Sequence, residues 1–266
     1  MLGAILGDII GSTYEHHNRK SKDIELFTKW SRVTDDSVMT IAVAEAFLRA
    51  KAAGWLDDEA IVREMLVDAL QKWGNDYPDA GYGGRFRQWL AFAEREPYNS
   101  WGNGSAMRVS PAGWMGNDMD SVCRLAAWSA EVTHNHPEGV KGAEAIAAAI
   151  YLARTEASKA EIKSYIETVF EYDLDRTCDE IRPEYTFDVS CQGSVPEAII
   201  AFLEGEDFED VIRNAISLGG DSDTIAAMAG SIAEPYFGIP EWLQEKALEY
   251  MDDEMIEIWE EFKEMC

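Results

Sequence analysis

The sequence predicts an all-α fold. Apolar residues recur at helical spacing over long stretches, serine, aspartate and proline stand where helices would begin, and strand patterns are nearly absent. Between Asp57 and Trp73, the residues Ile61, Met65, Leu66, Ala69, Leu70 and Trp73 form one stripe, and Gly74 stands where that helix would stop. From Glu138 to Ala153, behind Pro137, the chain is so rich in alanine and isoleucine that it predicts a helix buried on several sides. Ser194-Val195-Pro196-Glu197 reads as a capping box with an early proline, ahead of a helix from Ala198 to Leu203. After a turn at Gly205, Asp207 caps a further stripe through Val211, Ile212, Ala215 and Ile216. Glu241 to Cys266 alternates acids with Trp242, Leu243, Tyr250, Met255, Trp259 and Phe262, an amphipathic and solvated segment. Only Thr186 to Ser190 alternates like a strand, and weakly.

The chain has 266 residues, 47% of them hydrophobic, enough for a sizeable core. No linker, repeat or shift of composition divides it, so one domain over residues 1–266 is expected. No apolar run reaches the length of a membrane span, and Met1 to Ile10 is interrupted by Asp8 with no basic leader ahead of it. The expectation is a soluble, cytoplasmic protein with no membrane partner. Cys123, Cys178, Cys191 and Cys266 form no CxxC pair, which suggests neither a zinc site nor a disulfide framework. Fifty acids against 23 Lys plus Arg leave a formal charge of −27, which repels a phosphate backbone and makes nucleic acid an unlikely partner.

Two clusters carry chemistry. Thr34-Asp35-Asp36-Ser37 stands before the apolar run Val38, Met39, Ile41, Val43, Ala46 and Phe47; taken alone it reads as an N-cap, its oxygens satisfying the orphan N–H groups of a helix. Gly219-Gly220-Asp221-Ser222-Asp223-Thr224 repeats that chemistry ahead of a small-residue helix, Ile225 to Ala233. Hard divalent cations prefer oxygen ligands, and four aspartates with two threonines can hold two such ions. The glycine-rich stretch Asn99-Ser100-Trp101-Gly102-Asn103-Gly104-Ser105 is either a plain turn or a concavity of backbone N–H groups suited to a diphosphate. Glu15 sits in a segment without apolar periodicity, so a loop is expected there.

Gly7-Asp8-Ile9-Ile10-Gly11 with Glu15, Thr34-Asp35-Asp36-Ser37, Gly102 to Arg108, Thr133-His134 and Gly220 to Thr224 together resemble the ordered motifs of the ADP-ribosylglycohydrolase family, from Met1 to about Gly238. The resemblance implies an orthogonal all-α domain with a two-metal centre, Mg²⁺ or alternatively Mn²⁺. In that reading Thr34, Asp35, Asp36, Asp221, Asp223 and Thr224 are metal ligands and Glu15 is the catalytic carboxylate. It implies that Gly83, Gly84, Ser100, Trp101, Gly102, Asn103, Gly104 and His134 bind the nucleotide, with Trp101 lying against it. One departure is Ala233-Glu234-Pro235-Tyr236, where many members have small residues.

The expected activity is hydrolysis of the glycosidic bond at C1″ of ADP-ribose, carried by a modified protein or another ADP-ribosylated target, with ADP-ribose as product. Whether Glu15 is the acid or first leaves a metal's shell stays open, as does the leaving group: arginine, serine, a base or a metabolite. A phosphohydrolase using Asp-x-Asp needs that motif at the end of a buried strand, whereas Asn214 to Gly220 reads as a helix end and a glycine turn. A non-catalytic ADP-ribose reader is the alternative of a different class; loss of Glu15 or of a ligand would favour it, and all are present.

Overall fold

The computed structural model describes residues 1–266 as fifteen helices without a strand. The first four are α1 (Leu2–Gly11), α2 (Asp35–Ala52), α3 (Glu59–Asp76) and α4 (Gly84–Ala91). Two short turns, α5 (Gly104–Met107) and α6 (Ser110–Met115), lead into α7 (Met119–Glu131), α8 (Pro137–Arg154), α9 (Lys159–Phe170) and α10 (Cys178–Ile181). The rest are α11 (Cys191–Glu204), α12 (Phe208–Leu218), α13 (Ser222–Phe237), α14 (Glu241–Leu248) and α15 (Asp253–Met265). The Thr186 to Ser190 segment forms a lone antiparallel bridge, Ser190 with Gly102. No helix is long and apolar enough to cross a membrane.

α1, α8 and α13 run through one contiguous core of buried apolar residues. Every residue of α1 is buried, including Asp8. That burial is possible because Gly3, Gly7 and Gly11 recur every fourth residue and so share one face. Cβ atoms on them would collide with the backbone of Gly230, Ala226 and Asp223 on α13. α1 and α13 therefore approach to backbone contact. Glu234 accounts for the departure noted above: its Oε2 accepts from the Gly3 N–H at 2.9 Å, an anion at the positive end of α1.

Several expectations hold. α3, α8 and α12 form where the stripes predicted, with Pro137 opening α8 and Asp207 capping α12 through the Asp210 N–H. Along α14 and α15, Leu243, Met255, Trp259 and Phe262 are buried, while Trp242 stays half exposed. Two boundaries differ. Gly74 does not end α3, which continues to Asp76; a Cβ there would lie 2.6 Å from Leu90 Cδ2, so the glycine makes room for α4. Ser194 does not cap α11, which begins at Cys191 under Ser190, with Pro196 inside it. Pairing of the Cys191 N–H with the Trp101 carbonyl at 3.0 Å anchors that earlier start, and the Ser194 hydroxyl turns back onto the Ser190 carbonyl.

Gly7→Ala tests the close approach. A methyl has no room against Ala226, so overpacking outweighs the gain in helix propensity and unfolding free energy falls by about 1 to 3 kcal/mol in urea titration. Equal or greater stability would mean that α1 and α13 do not touch there.

Candidate functional site

The two acidic clusters sit at the first turns of α2 and α13, and both face Asp8 in the middle of α1. Thr34 occupies the N-cap position of α2 but makes no side-chain cap bond. Asp8 caps α2 instead: its Oδ2 accepts from the Thr34 N–H at 2.9 Å and the Ser37 N–H at 3.1 Å, and it takes the hydroxyls of Thr34 (2.5 Å) and Ser37. A full negative charge at the positive end of a helix does this better than a hydroxyl, which corrects the capping reading of Thr34 to Ser37. Asp221 likewise stands at the N-cap position of α13 without capping it; its Oδ2 accepts from Asn103 Nδ2 at 2.7 Å.

The result is a crowd of carboxylates. Asp8, Asp36, Asp221 and Asp223 are all buried, with Asp35 partly open. Ligand oxygens of Asp8, Asp36 and Asp223 lie within 4.8 Å of one another, and so do those of Glu15, Asp221 and Asp223. Asp223 belongs to both groups. Burial, reinforced by the charges of Asp8 and Asp221, pushes the Asp35 carboxyl up to about 8. Desolvation and neighbouring acids hold Asp36 and Asp223 well above the usual carboxylate range. Around Asp36, Asp221 and Asp223 the protein offsets that repulsion with the Thr224 hydroxyl on Asp36 Oδ2 at 3.2 Å, the Thr224 N–H on Asp223 Oδ1 at 3.0 Å and the Asn103 amide on Asp221. Asp36 Oδ1 is buried with no hydrogen-bond partner at all. An oxygen-rich, anionic cavity with an orphaned acceptor fits a hard divalent cation.

The cluster forms the floor of a pocket of about 480 Å³. Every candidate residue named from the sequence lines it except Thr34, whose hydroxyl is turned behind the cluster onto Asp8. Glu15 stands at the rim, on the turn that follows α1, its carboxyl raised mainly by burial. Gly83 and Gly84 open α4 with nothing near their missing Cβ positions, so the wall there is bare backbone. On the opposite side runs Ser100 to Gly104, where Gly104 leaves space for His134: a Cβ would stand 3.0 Å from its Nε2. Burial and the nearby Arg108 guanidinium hold His134 well below the usual imidazole range, hence neutral. The Asn103 side chain belongs to the carboxylate cluster rather than to the open cavity. Trp101 is about half exposed at the mouth (48%), beside Phe187 and Val189. His136 makes no contact with the cluster; its Nδ1 accepts from the Glu138 N–H at the start of α8.

Sequence reasoning missed Asp8 as part of the centre, although a lone acid inside the apolar run Met1 to Ile10 was a signal. It also missed Tyr98, Arg85, Phe187 and Val189 as pocket walls. The last two fall in the weakly alternating segment, whose only regular pairing is the Ser190–Gly102 bridge that closes the pocket.

Comparison with known proteins agrees with this architecture. The ADP-ribosylglycohydrolase family model matches residues 1–265. The ADP-ribosylhydrolase ARH3 of Homo sapiens is 27% identical over 96% of this chain and 90% of its own length. The ADP-ribosylarginine hydrolase Tri1 of Pseudomonas putida is 24% identical over 93% of this chain and 73% of its own. A solved ADP-ribosylglycohydrolase-related protein complex shares the fold with a TM-score of 0.73 at 22% identity, covering 99% of this chain and 95% of that one. With its acidic floor, its glycine-lined walls and a family match from the first residue to the last but one, the chain belongs to the ADP-ribosylglycohydrolases, enzymes that hydrolyse ADP-ribose linkages.

Proposed function

We propose that this hydrolase removes ADP-ribose from a modified protein side chain, using two Mg²⁺ ions, or Mn²⁺, held on the carboxylate floor. The observation that carries the reading is the buried cluster itself, with Asp223 common to two sets of ligand oxygens and Asp36 Oδ1 unpartnered. Asp35, Asp36, Asp221 and Asp223, with the Thr224 hydroxyl, would hold the ions, while Asp8 and Thr34, hydrogen-bonded to each other, support them from behind; the lack of His and Cys there favours a hard metal. Bound ions supply positive charge that orients sugar hydroxyls and acidifies water.

The rest is done by the chain. Backbone N–H groups of the Ser100 to Gly104 loop and the bare face at Gly83 and Gly84 suit a diphosphate, and Trp101 offers a ring for stacking on the adenosine or sugar face. Neutral His134 presents Nε2 beside Gly104 as a hydrogen-bonding group that adds no charge. Glu15 stands at the pocket rim with its carboxyl raised by burial, where it would deliver a proton toward the leaving group or take one from the attacking water. The surrounding carboxylates would stabilise oxocarbenium-like charge at C1″. Relatives named for ADP-ribosyl hydrolysis support an ADP-ribosylated substrate and ADP-ribose as product.

Three measurements test this. Mg²⁺ at a hundred times its dissociation constant should stabilise the fold by about 2.7 kcal/mol, seen as a rise in Tm. Asp36→Asn or Asp223→Asn should lose most of that rise together with turnover, and full activity after exhaustive chelation would end the metal reading. Trp101→Ala should weaken ADP-ribose binding in calorimetry by about 1 to 3 kcal/mol if the ring stacks on the ligand; unchanged affinity would make Trp101 a bystander. Glu15→Gln should keep ADP-ribose affinity within a few-fold and lower turnover of ADP-ribosylated peptides by about 10²- to 10⁴-fold. Loss of both together would make Glu15 a ligand rather than a proton-transfer group.

A further inference from the structure

Glu15 is held in place by very little of its own. Its carboxylate accepts no hydrogen bond, and Nε2 of the exposed His16 imidazole lies 3.6 Å from it. Its position therefore depends on the turn that carries it. Thr13 ties that turn to Thr28 and Ser31, and Tyr14 ties it to the Glu25 carbonyl, but the side chain that joins it to Gly220 is Asn18, an exposed residue. The two N–H groups of Asn18 Nδ2 are shared among three acceptors, the carbonyls of Tyr14 and Glu15, each at 2.8 Å, and the carbonyl of Gly220 at 3.1 Å. Its Oδ1 accepts from the Gly220 N–H at 2.6 Å. The amide thus binds its own turn and, from 202 residues away in sequence, both polar groups of the glycine that immediately precedes Asp221.

The glycine turn is shaped to receive it. Gly219 and Gly220 both have left-handed φ, 73° and 72°, which other residues reach only under strain. A Cβ on Gly219 would stand 3.0 Å from Asn18 Oδ1, and one on Gly220 2.6 Å from the Tyr185 ring. Lys20 adds a second tie two residues on, donating to the carbonyls of Leu218 and Tyr185. Asp221 follows directly, with its ligand oxygen within 4.8 Å of those of Glu15 and Asp223.

We propose that Asn18 is a positioning residue for the reaction: by clamping the Glu15 turn to the Gly219-Gly220 turn, it sets the separation between the proton-handling carboxylate and the metal-binding Asp221. It touches neither substrate nor ion and acts through Glu15. The role rests on the proposed hydrolysis.

A double-mutant cycle on the full chain, with Mg²⁺ and an ADP-ribosylated peptide that the wild type cleaves, tests it. Asn18→Ala should lower kcat about 10- to 100-fold, since displacement by about 1 Å costs on that order. ADP-ribose affinity should stay within about threefold and the Mg²⁺-induced rise in Tm should persist, because the pocket and the floor keep their own bonds. In a Glu15→Gln background, the same Asn18→Ala change should cost less than about threefold, because residues that act as a unit are not additive. Should Asn18→Ala fold poorly, Asn18→Ser, which adds no charge and is too short to span from its own turn to Gly220, gives the same comparison. Unchanged kcat, full additivity with Glu15→Gln, or loss of the Mg²⁺ response would each overturn the positioning role. A wild type that cleaves no linkage in a panel of arginine- and serine-linked peptides would overturn the hydrolase reading and the role with it, whereas wild-type turnover with additive losses removes Asn18 alone.

Discussion

The chemistry of this protein depends on how closely α1 lies against α13. Three glycines on one face of α1 bring its backbone onto that of α13, and this places Asp8 beside the first turns of both α2 and α13. With ordinary side chains on that face the helices would stand apart at common packing distance, roughly 8 to 10 Å between axes, and Asp8 could not reach α2 while Gly11 lay on Asp223. The contact is therefore geometric before it is energetic. It gives up the burial that larger side chains would contribute and gains the convergence of three chain segments on one point.

Convergence of carboxylates costs stability, since buried acids repel and lose hydration. The fold limits this in two ways. Asp36, Asp223 and the capping Asp8 all sit at helix N-termini, where the backbone dipoles favour negative charge. Asp8 further receives N–H and O–H groups from Thr34 and Ser37, so its lone pairs are largely used inside the protein. Asp36 and Asp223 are less well served, and their oxygens face the pocket. The division gives Asp8 a structural role, its charge met by donors of the fold, whereas Asp36 and Asp223 keep oxygens that such donors do not fully serve.

The features readable in the sequence were those set by neighbours a turn or two away. Stripes of apolar residues gave α3, α8 and α12, and paired Asp with Thr or Ser marked both first turns of the centre. The misreadings came where a distant partner overruled a local signal. Gly74 looks like a stop because glycine weakens helices, yet Leu90 needs its missing Cβ; Ser194 looks like a cap, yet Trp101 draws the helix start forward to Cys191. Asp8 and Asn18 belong to the same class. Asp8 reaches partners 26 and 29 residues on, and Asn18 reaches across 202, so no window of local pattern contains their reason for being there.

A chain with formal charge −27 is an unpromising host for an anionic ligand, but the pocket differs from the rest of that surface. Exposed charges beyond a Debye length, about 8 Å at physiological salt, are largely screened, so the bulk of the acidic surface exerts little force inside the cavity. What acts there is local. Arg85 lies over the Tyr98 ring at 5.1 Å with its charge toward the cavity wall, and the Ser100 to Gly104 and Gly83–Gly84 walls expose backbone instead of side chains. Buried Arg108 is spent on the Ser129 carbonyl and the Thr133 hydroxyl, which in turn meets His134 Nδ1 at 2.8 Å. It orders the wall, and its Nε is left without a partner. The remaining local charge is the acidic floor, and that is repulsive to an anion until cations cover it. On the function proposed above, ions on the carboxylates would turn the floor from a barrier into an attraction, so their binding should favour that of the anionic ligand, and the anion theirs, by the same factor.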